Sequence, residues 1–327
     1  MKHHFGDHLD RQEDYWTIVP NRERYSYQIK DVCSGDKNIT IATIGSGDEG
    51  WEKIFAFPNL VELTLHEPST EQMKAIGKLL CVKRLRITHA RPKNIEFLGT
   101  LINVEELVLE YVSGFSDLSP LRMLHKLRSL HIENLRRVSD FSGLAGISSL
   151  RYLKIDGTLD WKQPIASFEF LSGLLNLEVL KFGQVINKSP YPALLPATRL
   201  RNLKKIVIVG SMFPTNEYAL LEVGLPGVKG AVWEPYRRFA YSRMPIPQID
   251  IRSSLPVETI EANHPDVFIA YDGKRLINDP DTEWFEFLGK GAGSVKYTHP
   301  SATQKCKEFA EKYSKMKQEA RDMLSQP

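Results

Sequence analysis

An apolar hexad with the pattern L-x-x-L-x-L recurs along the middle of the chain, and it constrains the fold more than any other feature. Seven copies begin at Leu60, Val82, Val104, Leu127, Leu150, Leu177 and Leu203. Successive copies are separated by 22, 22, 23, 23, 27 and 26 residues, and two weaker copies flank them at residues 39–44 and 228–233. Because a unit this short cannot bury its apolar face alone, the copies must stack on one another.

The hexad predicts one β-strand per repeat. Its fourth and sixth positions keep the period of two that is typical of a strand with one buried face, and stacked strands would form a parallel sheet. Further apolar residues recur at 97–101, 118–121, 141–144 and 170–174, where the back of each repeat would lie. With 22 or 23 residues per repeat there is little room for a full helix, so we expect short 3₁₀ or single-turn helices there.

The segments FSDLSPLRML (residues 115–124) and VSDFSGLAGISSLRYL (138–153) resemble leucine-rich repeats of the short, internalin-like class. The resemblance implies an α/β solenoid with a parallel concave sheet, a convex side of short 3₁₀ or helical segments, and a cap at each end. It also implies protein ligands. One departure is clear: the family often has Asn three positions after the last strand leucine, where this chain has Pro68, Ala90, Val112, Leu135, Thr158, Val185 and Ser211.

The repeat boundaries predict three regions. Residues 1–37 would form an N-terminal cap, residues 38–233 the solenoid, and residues 234–327 a C-terminal capping module. Within that module, residues 267–271 and 274–277 read as a β-hairpin. A terminal amphipathic helix is expected to begin near Ser301, with Gln304 completing a capping box. Its apolar stripe would dock on the module, or alternatively bind a partner.

Composition limits the classes of partner, the metal or disulfide chemistry and the cellular compartment that are expected for this chain. The 43 basic and 40 acidic residues give a net charge of +3, which is weak support for a nucleic-acid partner. No apolar run is long enough to span a membrane, and the N-terminus lacks the apolar region of a secretory signal. Three dispersed cysteines suit neither a disulfide framework nor a zinc site. A cytoplasmic protein is therefore expected.

Motifs with catalytic or cofactor chemistry are weak in this sequence. Residues 45–50 match G-x-G-x-x-G, but two carboxylates lie where a pyrophosphate would approach, so a turn is expected. His66 and His89 follow strands without a neighbouring nucleophile, and the pair His264 and Asp266 lacks one as well. Cys306 falls on the apolar stripe of the terminal helix. We therefore predict no catalytic residues, no cofactor and no metal.

The x positions of the hexads should point onto the concave face, where nine basic side chains accompany four acidic ones. Cross-strand ion pairs would neutralise the first half, since Glu62, Arg84 and Glu106 share one row. In the second half only Glu178 would face the cations. The predicted partner-binding residues are Arg84, Arg86, Arg128, His131, Arg151, Tyr152, Lys154, Lys181, Lys204 and Lys205.

These features favour a non-enzymatic protein that binds a protein partner, with an acidic surface, and acts as a regulator, adaptor or inhibitor. An immunity protein that neutralises a toxin is one version of this function. Two other classes stay open: binding of RNA or another polyanion by the basic face, and an enzyme with its chemistry in the C-terminal module.

Overall fold

A computed structural model describes residues 27–240 and 283–325, with the short stretches 249–250, 255–256, 258–259, 262, 268–271 and 274–277 between them. The predictions made for residues 1–26, and for His264 and Asp266, lie outside the described residues. The described residues form two compact units. One contains residues 27–213 and 220–232, and the other contains residues 214–219 and those from 233 onward.

The repeats supply one strand each to a parallel sheet. In chain order the strands of this region are β1 (Ile41–Gly45), β2 (Glu62–His66), β3 (Arg84–Thr88), β4 (Glu106–Glu110), β5 (Ser129–Glu133), β6 (Tyr152–Asp156), β7 (Gln163–Ile165), β8 (Val179–Phe182), β9 (Val185–Asn187) and β10 (Lys205–Ile208). Eight of them form one sheet in the order β1-β2-β3-β4-β5-β6-β8-β10.

The register of the sheet follows the hexad phase. Leu63 pairs with Leu85, Leu85 with Leu107, and the corresponding residues continue as far as Ile206 in β10. These side chains are buried, so stacking produces the continuous core that the repeat predicted. The weak copy at 39–44 forms β1, whereas the copy at 228–233 makes a single parallel bridge to Lys205.

Short helices form the back of the repeats, as predicted. The 3₁₀ helices are Ile29–Asp31, Trp51–Ala56, Glu96–Thr100, Ser119–Met123, Ser142–Leu144, Glu169–Gly173 and Leu195–Arg199. One repeat instead carries a two-turn α-helix, α1 (Thr70–Ile76), which begins with a reciprocal capping box between Ser69 and Gln72.

Two hydrogen-bond ladders hold the turns in register, although Asn is missing from the usual position. On the turns before β2, β4, β8 and β10, Asn59, Asn103, Asn176 and Asn202 donate to carbonyl groups of the preceding repeat at 2.8–2.9 Å. On the turn after each strand the backbone does this work: the N–H groups of Glu67, His89, Tyr111 and Asn134 donate to the next repeat at 2.9–3.0 Å. The turns are therefore regular without the expected Asn.

The two longer repeats carry insertions, as their spacing implied. The extra residues form β7 and β9, which pair in parallel from Gln163 with Val185 to Ile165 with Asn187. The buried side chain of Gln163 accepts from the Leu135 N–H and donates to the Val138 carbonyl. Part of the inserted sequence thus forms a second small sheet, whereas residues 188–194 form neither helix nor strand.

The remaining elements lie towards the C-terminus. They are α2 (Thr215–Gly224), β11 (Tyr236–Ala240), β12 (Ile249–Asp250), β13 (Leu255–Pro256), β14 (Phe268–Tyr271), β15 (Lys274–Ile277), β16 (Glu283–Phe287), β17 (Ser294–Lys296) and α3 (Ala302–Leu324). Strands β14 and β15 pair antiparallel, which confirms the hairpin, and β11, β16 and β17 form an antiparallel sheet.

The terminal helix α3 begins where it was predicted, and its stripe faces inward. Cys306, Tyr313 and Ala320 are buried, and Phe309 stacks on Phe287 of β16 at 4.7 Å between ring centroids. The predicted capping box is wrong. Ser301 makes no side-chain cap, because its hydroxyl lies 2.9 Å from Nδ1 of His299.

Candidate functional site

The concave face carries three rows of side chains, defined here by the second, third and fifth hexad positions. The first row is ordered by two shared carboxylates. Glu105 lies between Lys83 (3.4 Å) and Arg128 (2.5 Å), and Glu178 lies between Arg151 (2.5 Å) and Lys204 (2.9 Å). Partial burial works the other way, but the hydrogen bonds and charges of these cations lower the pKa of both carboxyl groups.

Each shared carboxylate therefore holds two cations and leaves one unit of positive charge in excess. Lys83, Arg151 and Lys204 keep 55 %, 57 % and 60 % of their side chains exposed, and Arg128 keeps 42 %. The first row is thus a fixed line of accessible cations across the sheet. This restraint lowers the entropy that the side chains would lose on contact with a partner.

The second row places one cation between two buried carboxylates. Arg84 reaches Glu62 at 2.5 Å and Glu106 at 3.1 Å, as the alternation of sign predicted. Burial raises the pKa of Glu106 to about 7, and the charge of Arg84 offsets only part of this effect. The arrangement accommodates a proton on Glu106 near neutral pH.

The third row contains a buried ion pair. Arg86 does not project to solvent but forms two hydrogen bonds to Glu110, at 2.8 and 3.1 Å, and both side chains are almost fully buried. His131, two strands away, is also fully buried. Burial and the nearby charge of Lys154 lower its pKa to about 3, so the ring is neutral.

The other predicted residues of this face are engaged with their neighbours. Lys154 pairs with Asp156 at 3.1 Å, and the ammonium group of Lys181 lies 5.5 Å from the ring centroid of Tyr152. Tyr152 keeps only 2 % of its surface exposed. Lys205 is half-buried in β10.

The structure therefore corrects the sequence picture of an open cationic face. Arg86, His131 and Tyr152 are buried, so they are not accessible for direct contact as the structure stands. The second half also faces more carboxylates than Glu178. Asp156 pairs with Lys154 there, and Glu110 pairs with Arg86 in the first half; both carboxylates directly follow the last hexad residue, a position that was not counted.

A second surface lies on the turn that follows each strand. Glu67, His89, Tyr111 and Asn134 occupy equivalent positions, all with φ between 49° and 55°, in the left-handed region that usually favours glycine. The rings of His89 and Tyr111 stack at 4.7 Å, and His66 meets His89 edge-on at 5.4 Å. Sequence reasoning set the two histidines aside because it sought only a catalytic partner for them.

Two adjoining grooves border these residues. The first, of about 400 Å³, is lined by Glu67, His89, Arg91, Tyr111, Ser113, Asn134 and Arg136, and we call it the ring groove. The second, of about 430 Å³, is lined by Arg91, Lys93, Ser113, Gly114, Arg136 and Arg137, and we call it the basic groove. The four cations of the basic groove are exposed.

The remaining sequence motifs have structural roles. Residues 45–50 form a turn, in which Asp48 accepts a hydrogen bond from the Gly45 N–H at 2.7 Å. In the described part of the chain, no three His, Cys, Asp or Glu side chains are grouped so as to hold a metal ion. Nor is any helix there long and apolar enough to cross a bilayer.

One strand and one short helix per repeat, with the leucines in register across eight strands, decide the architecture. The chain is a leucine-rich-repeat solenoid.

Comparisons with solved structures find several similar chains. An internalin of Listeria monocytogenes (inlF) is 21 % identical with a TM-score of 0.39, covering 64 % of this chain and 56 % of its own. Internalin C2 of the same species is 24 % identical with a TM-score of 0.38, covering 53 % of this chain and 72 % of its own. A leucine-rich-repeat protein of Leptospira interrogans is 17 % identical with a TM-score of 0.33, and the match covers 54 % of this chain and 50 % of that protein. No family model and no curated protein matches the chain.

Proposed function

We propose that the solenoid is a non-enzymatic module that binds an acidic surface of a protein partner across the first row of the concave face. The observation that carries this proposal is the line of exposed cations Arg128, Arg151 and Lys204, each held by a shared carboxylate. A regulator, adaptor or inhibitor would use such a surface in the same way.

Two physical properties support a protein ligand. The sheet that carries the row is hydrogen-bonded across eight strands, so the charges are presented on a rigid support. The excess charge is modest, because Glu105 and Glu178 each neutralise part of the row. A polyanion such as RNA favours a denser track of uncompensated cations.

The proposed surface also includes three less exposed lysines behind the first row, namely Lys154 and Lys181 of the third row and Lys205 of the second row. They lie deeper than the first row, with Lys154 keeping 22 % of its side chain exposed. A partner that reaches them must insert side chains between the first-row cations. Arg84 has a similar place in the first half, with 17 % of its side chain exposed.

Charge reversal tests the proposal. The protein would first be used to capture its partner from native lysate with and without nuclease treatment, and the affinity of the purified partner would then be measured for wild type and for the R151E/K204E variant. We expect affinity to fall by at least tenfold, because two cations near the centre of the contact become repulsive.

Lys83→Glu provides the matched control, because Lys83 lies in the same row and shares Glu105 as Arg151 shares Glu178. A contact centred on the second half predicts a smaller loss for K83E than for R151E alone, which makes the same change in net charge. Unchanged affinity of R151E/K204E would refute a concave-face contact. Recovery of nucleic acid alone, lost on nuclease treatment, would refute protein binding.

A further inference from the structure

The strongest feature that the concave face does not explain is the basic groove on the turns after the strands. Arg91, Lys93, Arg136 and Arg137 line it together. Among the described residues, none of these four forms an ion pair or a side-chain hydrogen bond. This contrasts with the concave face, where Arg84, Arg86, Arg128 and Arg151 all have carboxylate partners.

The repeat geometry brings these cations together. Arg91 and Arg136 occupy equivalent turns two repeats apart, which corresponds to roughly 10 Å at the spacing of adjacent strands. Their long side chains can therefore reach one group placed between them. Ser113 lies on the intervening turn and lines the groove as well.

The wall of the groove depends on a close backbone approach. Gly114 has φ of 111°, and a Cβ atom there would lie 2.4 Å from the Pro92 carbonyl oxygen. Glycine thus allows the loop of one repeat to lie against that of the preceding repeat. The cations extend from a fixed backbone rather than from separate loops.

Carboxylates border the basic groove but do not line it. Glu67 lies at the far side of the ring groove, and Glu96 and Asp117 line the depression on the other side. Four positive charges therefore face a short space bounded by negative ones. This distribution suits one compact dianion, and it does not suit a nucleic-acid strand, whose phosphates would continue past Glu67 or Asp117.

A buried amide gives a second, independent indication of a ligand. Asn134 lines the ring groove beside Arg136, is 2 % exposed, and is held at φ of 55°. Its Oδ1 atom has no hydrogen-bond partner within the described part of the chain. An unpaired buried acceptor costs about 1–3 kcal/mol, which a ligand that donates an N–H would recover.

We infer that the basic groove binds the phosphate group of a phosphorylated side chain in a protein partner, with Arg91 and Arg136 as the principal contacts. Arginine forms paired hydrogen bonds to phosphate oxygens, and clusters of arginine are a common way to recognise phosphorylated residues. The backbone N–H groups next to the phosphorylated residue supply the donor that Asn134 lacks. This inference rests on the proposed protein-binding function and adds the chemistry of the recognised group.

Fluorescence anisotropy with the whole chain tests the inference. The probe is a labelled degenerate peptide library with one fixed phosphoserine, compared with the same library carrying serine. We expect the phosphorylated library to bind at least tenfold more tightly and inorganic phosphate to compete with it. The R91E/R136E variant should lose ten- to a hundredfold in affinity, as expected for charged hydrogen bonds of about 1.5–3 kcal/mol.

The matched control is K312E/K315E, which makes the same change in net charge on exposed positions of α3. It should leave the affinity unchanged, and N134A should weaken phosphopeptide binding without affecting competition by inorganic phosphate. Equal binding of both libraries, or equal affinity of R91E/R136E and wild type, would overturn the inference. Free phosphoserine binding as tightly as the peptides would instead indicate a small phosphorylated ligand, and an RNA oligonucleotide that competes better than phosphopeptide would indicate a polyanion surface. Both results would also overturn it.

Failure of the phosphate inference can be distinguished experimentally from failure of the proposed concave-face contact. A captured partner that still binds after phosphatase treatment, but fails to bind R151E/K204E, would overturn only the phosphate inference. A partner lost on phosphatase treatment and by R91E/R136E, yet bound by R151E/K204E, would support the inference while refuting the concave-face contact.

Discussion

The buried pair of Arg86 and Glu110 allows a sharp test of how charge is accommodated on the concave face. Both side chains are at most 2 % exposed and share two hydrogen bonds. Removing one partner, as in Glu110→Leu or Arg86→Met, leaves a charge buried without compensation. Each single change should therefore lower the free energy of unfolding by about 3–5 kcal/mol.

The double variant R86M/E110L should behave very differently. It removes both charges together and leaves apolar side chains of similar length, and such replacements are often neutral or stabilising. We expect the double variant to lie within about 1 kcal/mol of wild type. The coupling energy of the cycle would then amount to several kcal/mol, far above the usual value for an exposed pair.

Urea unfolding followed by far-ultraviolet circular dichroism would measure all four proteins at pH 7. The more exposed pair of Arg237 and Glu286, with 69 % and 34 % of their side chains exposed, provides the control cycle, with R237M and E286L each expected to cost about 0–1 kcal/mol. Single variants at Arg86 or Glu110 that cost less than about 1 kcal/mol would refute the reasoning. A double variant as unstable as the sum of the singles would also refute it, since packing rather than uncompensated charge would then dominate.

Three further predictions follow from the same structure. Burial raises the pKa of Glu106 to about 7 from an ordinary value of 4.5, so the folded state binds this proton more tightly than the unfolded state does. The protonated carboxyl group therefore stabilises the fold below pH 4.5, and this contribution is lost as the pH rises from about 4.5 to 7. At 1.36 kcal/mol per pKa unit, the free energy of unfolding should fall by on the order of 3 kcal/mol over this range. The E106Q variant should lack this pH dependence. An identical pH dependence of the urea midpoint in wild type and E106Q would contradict the prediction. Gly114→Ala should lower the free energy of unfolding by about 1–3 kcal/mol, because the new Cβ atom would meet a carbonyl oxygen of the preceding repeat. Gly47→Ala is the control and should be tolerated, because the space around Gly47 is open. Equal thermal midpoints of the two variants would count against the close approach. The thiol of Cys306, whose pKa is raised by burial, should react with a thiol reagent only after unfolding, while the other two cysteines react at once. Three equally fast thiols would show that Cys306 is not on a buried face of α3.

The architecture was predictable because the hexad reports a periodic, apolar requirement. Every repeat must place Leu63, Leu85 and their equivalents in the same core, and the period of 22 or 23 residues leaves room only for short segments between strands. The insertions after Leu150 and Leu177 were also visible as longer steps, although their pairing as β7 and β9 was not. Apolar spacing thus predicts which strands pair in the main sheet.

The surface was predicted less well, because side-chain accessibility depends on neighbours that spacing does not reveal. Arg86, at the fifth hexad position, and Arg151, at the second, were both predicted to be accessible, yet one is buried against Glu110 and the other is 57 % exposed. The difference arises from a carboxylate that follows the hexad. Counting the residue directly after each last hexad position would have found it.

The turn after the strands was missed for a different reason. Residue type does not suggest a left-handed conformation at Glu67 or Tyr111, since glycine is the usual choice there, and the enrichment of Asn and His in this conformation is too small to single out Asn134 and His89. The signal that could have found it is positional. Glu67, His89, Tyr111 and Asn134 recur two residues after the last hexad position.

The paired ladders also have a consequence for how the solenoid opens. Each rung, such as Asn103 to Leu80 or Tyr111 to Glu133, joins only adjacent repeats, so a rung can break without disturbing distant ones. Opening should therefore spread from the ends, like the fraying of a zipper. Amide hydrogen exchange along the rungs would rise from the central repeats towards the terminal ones, and the steepness of that gradient would measure how many repeats act as one cooperative block.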